Sequence, residues 1–330
     1  MKIAFIEQNQ NINRGSYRVH IRDLDIYLKE IGIDSKINPK NINNYDVIIF
    51  GKGTCINTIK KYKKLNKKLG ITTPTCREKD NLDHKIVDFC IVGSVEEKDS
   101  LSRLYKNIFI IPQIESIYRN PKKFKTHEEK KEIIIGYHGN QNHLNHIRLS
   151  LKNSFEKLYN NYKHKYDIKF IYTCSNNEEW VTEKPNIPME FIKWDINNIE
   201  NTLLKMDIGV VPNICEFKLG GHDDENITLG RYSTDTMIRF KNKSNGGRSF
   251  VFHQMKIPVI ADYTPSNMRI LADLRNGYAV CSEEGWYRAL EELLDYKKRI
   301  KVSENAYQEF NRVYNPLDWA KMLASNLEKI

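Results

Sequence analysis

The sequence predicts an α/β protein of two domains, each built on a mostly parallel sheet. Short apolar runs alternate with longer segments whose apolar residues recur at helical spacing, which is typical of parallel strands covered by helices on both faces. A polar and charged stretch at 113–132 interrupts this pattern. The chain of 330 residues is longer than one ordinary core needs and fits two domains of common size. We therefore expect a domain boundary within the polar stretch.

The first half is expected to alternate six strands with three helices. The predicted strands are residues 2–6, 33–37, 45–50, 70–73, 88–93 and 108–112, and the predicted helices are 16–31, about 54–69 and about 94–106. Ser16 is a suitable N-cap for the first helix, and Gly32 ends it. Ligands of such sheets lie beyond the carboxyl ends of the strands, so the loops 7–17, 50–54, 74–83 and 93–95 are expected at one edge.

The second half repeats the alternation. Its predicted strands are 133–135, 167–173, 189–193, 207–212, 257–261 and 278–281, and its predicted helices begin near 142 and then cover 196–205, 247–256, 266–275, 283–297 and 316–328. The sequence therefore predicts a second α/β sheet of similar size, and two such domains in tandem suggest a cleft between them.

Composition limits the functional classes. The chain is 40% apolar and 28% charged, which indicates a folded protein, and its net charge of +10 favours an anionic partner. No apolar run approaches the roughly 20 residues of a membrane span, and the N-terminus lacks the pattern of a signal peptide, so we expect a cytoplasmic protein. The six cysteines contain no C-x-x-C pair, which favours free thiols over a zinc site.

Six lysines lie in the segment Lys60–Leu69, which we predict to be one helix with an apolar stripe. The usual interpretation of such a charge run is a solvated face. The alternative is peripheral contact with the anionic inner face of a membrane through Lys60–Lys68. A single aromatic residue, Tyr62, lies among these lysines, so a platform for single-stranded nucleic acid is not expected.

The segment Lys241–Ala261 carries the strongest local signal of an anion site. A basic loop with Lys241, Lys243 and Arg248 leads through Gly246 and Gly247 into a helix. Unpaired amides and the positive end of a helix dipole both favour an anion, and arginine holds a phosphate with two parallel donors. The alternative is a plain surface loop before a packing helix.

The loop after the first strand is a second candidate. It contains Asn13-Arg14-Gly15-Ser16-Tyr17-Arg18, in which backbone amides, Ser16 and Arg18 are placed to meet an anionic ligand. The loop lacks the G-x-G-x-x-G pattern of dinucleotide-binding folds, so NAD binding is disfavoured. A simple strand-to-helix turn with Arg18 in solvent is the alternative.

Taken in order, several motifs resemble those of a known family. They are the turn Gly15–Arg18, the Gly136–Gly139 segment GYHG, DIGVVP at 207–212, KSNGGRSFVFHQMKIPVIA at 243–261 and NGYAV at 276–280. Together they resemble the GT-B glycosyltransferases, particularly the bacterial glycosyltransferase 4-like enzymes. The resemblance implies two Rossmann-like domains facing across a cleft, with a C-terminal helix crossing back to the first domain. It implies an acceptor-side domain at 1–118, a linker at 119–132, a donor-binding domain at 133–315 and the returning helix at 316–330.

The resemblance further implies a transferase that moves a sugar from a nucleotide-sugar donor to a hydroxyl of a glycan or glycolipid. The expected diphosphate-binding residues are Lys243, Ser244, Asn245, Gly246, Gly247, Arg248, Gly15, Ser16, Arg18 and Gly139, and the expected base or ribose contacts are Trp194, His253 and Gln254. Many family members carry a Glu-x7-Glu pair whose second Glu meets the ribose, and here His253 or Gln254 stands near that position. The resemblance also implies that no cofactor or metal is needed, as is general for GT-B enzymes, and Asp223 and Asp224 do not form a metal-binding D-x-D motif.

Three residues are candidates for the catalytic base, namely Glu7, Asp80 and His138. An inverting transfer needs such a base near the attacking hydroxyl, whereas a retaining one does not. Two other functions stay open at this point. A nucleotide-sugar epimerase of the same architecture would need carboxylates at the sugar, and a non-catalytic protein would use its basic surface to bind nucleotides or other anions.

Overall fold

The computed structural model describes residues 1–74, 85–144, 149–177, 183–215, 228–229, 232–233, 239–240, 245–271 and 275–330. The chain divides into two compact units. The first comprises Met1–Pro121, Asn242–Val251 and Gln308–Ile330, and the second comprises Lys122–Lys241 and Phe252–Tyr307. The segments 242–251 and 308–315, which the sequence assigns to the donor half, group with the first unit by their contacts.

The first unit is built on a parallel sheet of six strands in the order β2-β1-β3-β4-β5-β6. The strands are β1 (Lys2–Ile6), β2 (Asp34–Ile37), β3 (Val47–Phe50), β4 (Lys68–Thr72), β5 (Phe89–Val92) and β6 (Ile108–Ile110). The first helical region consists of α1 (Gly15–Tyr17), a π-helical turn (Arg18–Arg22) and α2 (Asp23–Glu30), and α3 (Ile56–Lys63) and α4 (Val95–Leu101) follow. Short 3₁₀ turns cover Ile42–Asn44 and Ser116–Tyr118.

The predicted helix at 54–69 is wrong in its second half. Helix α3 ends at Lys63, Asn66 adopts a left-handed φ of 51°, and Lys68 begins strand β4. Pairing of β4 between β3 and β5, with Leu69 and Ile71 buried, outweighs the helical propensity of the lysines. The six lysines therefore do not share one helical face, and the Lys68 ammonium donates to the Leu327 carbonyl oxygen at 3.0 Å.

Apolar residues cover both faces of the first sheet, as expected for parallel strands. One face packs against the first helical region and against the final helix, α11 (Pro316–Lys329), through a core that includes Ile21, Leu28, Leu323 and Leu327. The other face packs against α3 and α4 through a second core that includes Ile59 and Leu101. The last helix of the chain is thus part of the first unit.

Polar contacts clamp the first helical region to the loop that follows β6. The Arg18 Nε donates to Glu115 Oε2 at 2.7 Å, and the Tyr27 hydroxyl donates to the Ile114 carbonyl oxygen at 3.1 Å. Asp23 accepts from the Ser116 hydroxyl at 2.8 Å and from the Ser116 amide at 3.2 Å. We call these contacts the helix–loop clamp. They fix the loop 113–116 on the first helix with buried side chains.

The second unit contains a parallel six-stranded sheet in the order β9-β8-β7-β10-β15-β16. Its strands are β7 (Glu132–His138), β8 (Asp167–Cys174), β9 (Met189–Lys193), β10 (Ile208–Val211), β15 (Val259–Asp262) and β16 (Tyr278–Val280). Two short antiparallel pairs join β11 (Ile214–Cys215) to β14 (Arg239–Phe240) and β12 (Thr228–Leu229) to β13 (Tyr232–Ser233). The remaining helices are α5 (Leu149–Tyr162), α6 (Ile199–Lys205), α7 (Gly247–Gln254), α8 (Pro265–Leu271), α9 (Glu283–Glu292) and α10 (Tyr296–Val313).

The predicted helix at 283–297 is two helices. Helix α9 ends at Glu292, and α10 begins at Tyr296 after the Asp295 carboxylate accepts the Lys297 amide at 2.8 Å. This Asx contact satisfies an amide at the start of α10, so a new helix begins here. The sequence prediction missed the rest of α10, which extends to Val313.

A buried carboxylate joins β7 and β10 at the start of β10. Asp207 Oδ2 accepts the Ile134 amide at 2.9 Å, and the carboxylate also lies 3.0 Å from the ammonium groups of Lys125 and Lys130. Burial alone would raise the pKa of Asp207, but these donors outweigh it and hold the pKa below its ordinary value. The two central strands of the second sheet are thereby held in register.

We expect a Leu323→Ala substitution to destabilise the protein by about 2–5 kcal/mol, because Leu323 is fully buried between α11 and the first sheet. The measurement is urea unfolding followed by circular dichroism and tryptophan fluorescence, since Trp319 lies on the same helix. Met322→Ala is the matched control, because Met322 is 38% exposed and its loss should cost little. Equal losses for the two variants would show that α11 does not pack as described.

The free energy of unfolding should depend on pH through the titration of Asp23, whose carboxyl group belongs to the helix–loop clamp. Burial raises the pKa of Asp23 to about 6 from an ordinary value of 3.8, and the Ser116 donors offset only part of this increase. Between these two values the folded protein binds the proton more tightly than the unfolded chain. The contribution of Asp23 to the free energy of unfolding therefore falls as the pH rises through this window, by about 3 kcal/mol at most.

The Asp23→Asn variant removes this titration, so its stability relative to wild type should increase from pH 4 to pH 6. Urea unfolding at a series of pH values measures the difference. Asp34→Asn is the control, because it removes an exposed carboxylate from strand β2 of the same unit. Curves for wild type and Asp23→Asn that run parallel through the window would contradict the assignment.

Candidate functional site

An open cavity of about 250 Å³ lies in the first unit, at the carboxyl edge of its sheet. Its lining is mostly polar and comes from the first helical region, the strand ends, the loop 113–115 and the start of α7. The lining residues are Gly15, Ser16, Val19, His20, Lys52, Thr73, Gln113, Glu115, Asn245, Gly247 and Arg248.

The cavity coincides with the topological switch point of the first sheet. Strands β1 and β3 are neighbours in the sheet. The connection after β1 leads to β2 on one side, and the connection after β3 leads to β4 on the other side. Residues after β1 (Gly15, Ser16, Val19 and His20) and after β3 (Lys52) line the cavity together. In open parallel sheets, ligands bind in the crevice that forms at this point.

Local sequence explains how the first helical region reaches the cavity. In the loop before it, the side chains of Glu7, Asn9 and Asn11 each accept the backbone amide two residues later, at 2.9–3.1 Å. The π-helical turn Arg18–Arg22 then widens the helix where His20 lines the cavity. Such wide turns are rare and often accompany functional sites.

The start of α7 forms the opposite wall. The Gly247 amide donates to the Asn245 side-chain oxygen at 2.9 Å, so Asn245 caps the helix. A Cβ atom at Gly247 would lie 3.1 Å from the Gln113 carbonyl oxygen, so the helix start packs tightly on the clamped loop. Phe250 anchors this end of α7 against Tyr314, with ring centroids 4.7 Å apart. Arg248 therefore lies in the first turn of a firmly held helix.

Five of the predicted diphosphate residues meet in this cavity, namely Gly15, Ser16, Asn245, Gly247 and Arg248. Their contact with a diphosphate remains a prediction. Gly246 is buried beside them, and its carbonyl oxygen accepts the Phe250 amide at 3.0 Å. Lys243, Ser244 and the candidate base Asp80 lie outside the described residues.

Arg18 and Glu7 make contacts that the sequence did not predict. Instead of facing solvent, Arg18 is buried, and its guanidinium donates to Glu115 and, at 2.8 Å, to the Ile12 carbonyl oxygen. One Glu7 oxygen caps the Asn9 amide, and the other lies so close to Gly51 that a Cβ atom there would collide with it at 1.9 Å. Both side chains hold the backbone next to the cavity, and neither lines it.

His138 and Gly139 lie in the second unit, at the carboxyl end of β7. Strand β7 lies between β8 and β10, which is the switch point of the second sheet. The His138 ring is buried and contacts Phe252 edge to face, with centroids 5.4 Å apart. Gly139 has a φ of 139°, which residues with a side chain rarely adopt, so a glycine is required here. The catalytic and phosphate roles of these two residues remain predictions.

The predicted base and ribose contacts also lie in the second unit. Trp194 is half-buried directly after the edge strand β9. His253 and Gln254 are buried near the end of α7, and burial lowers the pKa of His253 to about 3, so its ring is neutral at physiological pH. None of the three lines the cavity of the first unit.

Sequence reasoning missed six residues that line the cavity. They are Val19, His20, Lys52, Thr73, Gln113 and Glu115. The loop 50–54 was expected at the ligand edge, so Lys52 was the cation to examine there. His20 carried no motif, because its placement depends on the π-helical turn. Glu115 was assigned to the polar boundary stretch, and only the contact with Arg18 shows where it lies.

Within the described ranges, no helix is long and apolar enough to cross a membrane. The same residues contain no group of three His, Cys, Asp or Glu side chains arranged to hold a metal ion.

No protein-family model matches the sequence, and no curated protein matches it significantly. Solved structures do match over nearly the whole chain. HepE from Anabaena, crystallised with UDP-glucose, aligns with a TM-score of 0.67 at 11% identity and covers 100% of both chains. A glycosyltransferase from Rickettsia africae ESF-5 aligns with a TM-score of 0.63 at 16% identity, over 99% of this chain and 98% of the other.

Sucrose-phosphate synthase from Thermosynechococcus elongatus aligns with a TM-score of 0.61 at 11% identity, over 99% of this chain and 98% of the other. Sequence identity at this level carries information on the fold alone. With two parallel six-stranded sheets joined in one chain, the likeness confirms the predicted fold class. The protein has the α/β two-domain GT-B fold.

Proposed function

We propose that this protein is a glycosyltransferase of the glycosyltransferase 4-like type, which moves a sugar from a nucleotide-sugar donor to a hydroxyl group of a glycan or glycolipid without a metal ion. The observation that carries the proposal is the cavity at the switch point of the first sheet. It brings the Gly15–Ser16 turn together with Arg248 at the start of α7. Ser16 and Gly247, the nearest residues of these two elements, are 231 positions apart in sequence (247 − 16), and the elements share a lining rich in hydrogen-bond donors.

The chemistry of the lining suits a departing diphosphate. When the bond between the sugar and the diphosphate breaks, negative charge develops on the leaving group, and a fixed cation and helix dipole that meet this charge accelerate the reaction. Arg248 supplies two parallel donors, and the α7 dipole adds its positive end. Lys243 and Ser244 are proposed to complete this group. Protein cations in this role would make a metal ion unnecessary.

The proposed donor is a nucleotide-activated hexose. Crystal structures of HepE contain UDP and UDP-glucose, which supports this donor class on a shared fold. The cavity of about 250 Å³ is smaller than the 300–1,000 Å³ of typical small-molecule pockets, so it is suited to the reacting end of such a donor rather than to all of it. We propose that Trp194, His253 and Gln254 serve the nucleoside in the second unit.

His138, Glu7 and Asp80 remain the proposed candidates for a catalytic base. We further propose that the enzyme is cytoplasmic. A second proposal is that the segment Lys60–Lys68 makes peripheral contact with an anionic membrane. Helix α3 still presents Lys60, Lys61 and Lys63 to solvent or to an anionic surface.

Two alternatives are an epimerase of the same fold and a non-catalytic nucleotide- or anion-binding protein. An epimerase needs carboxylates at the sugar. Among the described residues that line the cavity, the carboxylate is Glu115, and it is paired with Arg18 at 2.7 Å. This pairing favours the transferase.

We expect one of UDP, GDP, ADP and CMP to raise the melting temperature of the protein, since a ligand that binds only the folded state at 100 times its Kd contributes about 2.7 kcal/mol. Arg248→Ala should weaken the binding of that nucleotide by about tenfold or more, because a hydrogen bond to a charged group contributes roughly 1.5–3 kcal/mol. Thermal shift titrations measure both effects.

Arg103→Ala is the matched control, because Arg103 is exposed in the same unit and outside the cavity lining. Incubation with the corresponding nucleotide sugars then separates the alternatives. A transferase releases the nucleotide together with a transferred or hydrolysed sugar. An epimerase converts the nucleotide sugar into its epimer, which still carries the nucleotide, and a binding protein leaves the donor unchanged. No thermal response to any of the four nucleotides would rule out both enzyme functions.

A further inference from the structure

Helix α7 ends in a motif that ordinarily contains glycine. The Ile257 amide donates to the Phe252 carbonyl oxygen at 2.9 Å, and the Lys256 amide donates to the His253 carbonyl oxygen at 3.1 Å. These two bonds form a Schellman motif, in which the residue just past the helix takes a left-handed φ and is usually glycine. Here that residue is Lys256, with a φ of 56°. A side chain strains the backbone at this position, so the contacts of the lysine must offset that strain.

The Lys256 side chain lies in a cage of two aromatic rings and a carboxylate. Its ammonium group lies 4.9 Å from the ring centroids of both Phe124 and Tyr307, and it donates to the two Glu304 oxygens at 2.7 and 2.9 Å. The two rings pack edge to face, with centroids 5.1 Å apart. Cations favour such positions near aromatic faces. We call this group the lysine cage, and it joins the end of α7 to α10.

Backbone hydrogen bonds hold the same end of α7. They come from the segment 124–127, which the sequence assigned to a linker. The Lys125 amide donates to the Met255 carbonyl oxygen at 3.0 Å, and His127 Nε2 donates to the Lys256 carbonyl oxygen at 3.0 Å. Lys256 therefore contacts this segment through its backbone as well as through its side chain.

These contacts control the position of α7 along its own axis. Packing by Phe250, Phe252 and Met255 buries the helix, but hydrophobic contact has no preferred direction. Hydrogen bonds and ion pairs have narrow ranges of distance and angle, so they resist sliding. Helix α7 has eight residues and a length of only about 12 Å. A displacement of Lys256 is therefore transmitted to the first turn, which contains Arg248.

The ion pair of the lysine cage is better suited to orientation than to stability. The side chains of Lys256 and Glu304 are 20% and 44% exposed, and ion pairs with this much contact with water contribute little to the free energy of folding. Glycine at position 256 would keep the Schellman motif and remove only the side-chain contacts. A substitution can therefore separate the orientation of α7 from the stability of the fold.

We propose that Lys256 is a positioning residue for Arg248. The lysine cage fixes the axial position of α7 and so holds Arg248 within reach of the diphosphate. The inference rests on the proposed transferase function, in which this diphosphate belongs to the donor.

The test measures the affinity for inorganic pyrophosphate and for the nucleotide that binds in the screen above, by isothermal titration calorimetry. Lys256→Gly should weaken both by about threefold or more, as is usual for coupled residues. Lys256→Arg should recover most of this loss, because a guanidinium pairs with a carboxylate and stacks on aromatic rings. In the Arg248→Ala background, Lys256→Gly should have no further effect, because the residue that it positions is gone.

Asn66→Gly is the matched control. Asn66 is exposed and has a left-handed φ of 51°, so the substitution makes the same backbone change outside the lysine cage, and we expect wild-type affinities. Losses that multiply in the double variant would show that Lys256 acts independently of Arg248, and the proposal would be wrong. It is also wrong if Lys256→Gly binds both probes as wild type does.

Hydrogen exchange of the free protein tests the lysine cage without a ligand. We expect the amides of α7 to exchange about tenfold faster in Lys256→Gly than in Asn66→Gly, because the end of the helix has lost its side-chain contacts. Equal rates would contradict the role of the cage. If neither probe binds the wild-type protein, the proposed transferase function fails, and the exchange rates still decide whether Lys256 holds α7.

Discussion

The buried ion pair between Arg18 and Glu115 is the contact on which the site depends. Its side chains are only 5% and 12% exposed, so both charges have lost most of their water. Such a pair contributes little net stability, but removing one partner typically costs about 3–5 kcal/mol because the other charge stays buried. The pair therefore acts mainly as an orientation device. With Asp23 and Tyr27 it fixes the loop 113–116, and the Gln113 backbone of that loop supports the start of α7 at Gly247.

The same pair determines the electrostatic character of the cavity. Because Glu115 is neutralised from behind by Arg18, it does not cancel the charges of Lys52 and Arg248 on the cavity surface. A count over the lining residues sets one carboxylate against the two cations Lys52 and Arg248 and gives a net charge of +1, but it treats Glu115 as a free charge of the cavity. The structure shows that this carboxylate pairs with Arg18 and supports the wall of the cavity.

Much of the fold could be predicted from the sequence, because strands such as Val47–Phe50 and Ile208–Val211 are buried on both faces and read as continuous apolar runs. Helix ends were less predictable. Strand β4 begins with Lys68, where sheet pairing outweighs local propensity. Most of α10 was missed, although its buried residues Val302, Ala306 and Phe310 recur at the four-residue spacing of a helix. Within the site, the Gly15–Ser16 turn and Arg248 belong to motifs that the sequence shows. The other residues do not: His20 reaches the cavity through a π-helical turn, Thr73 through its left-handed backbone, and Glu115 through a long-range ion pair. Those are tertiary features without a local signature.

The discontinuity of the first unit has a consequence for biosynthesis. Its sheet is complete by Pro121, but the wall of the cavity at Asn245–Arg248 and the core contributed by Leu323 and Leu327 leave the ribosome much later. Domains commonly fold during synthesis, from the N-terminus onward. Here one apolar face of the first sheet stays only partly covered, by the first helical region, until the segment Gln308–Ile330 has emerged. The cavity is therefore a late product of translation, and a nascent chain that ends before α7 has the strands of the first sheet without one wall of this cavity.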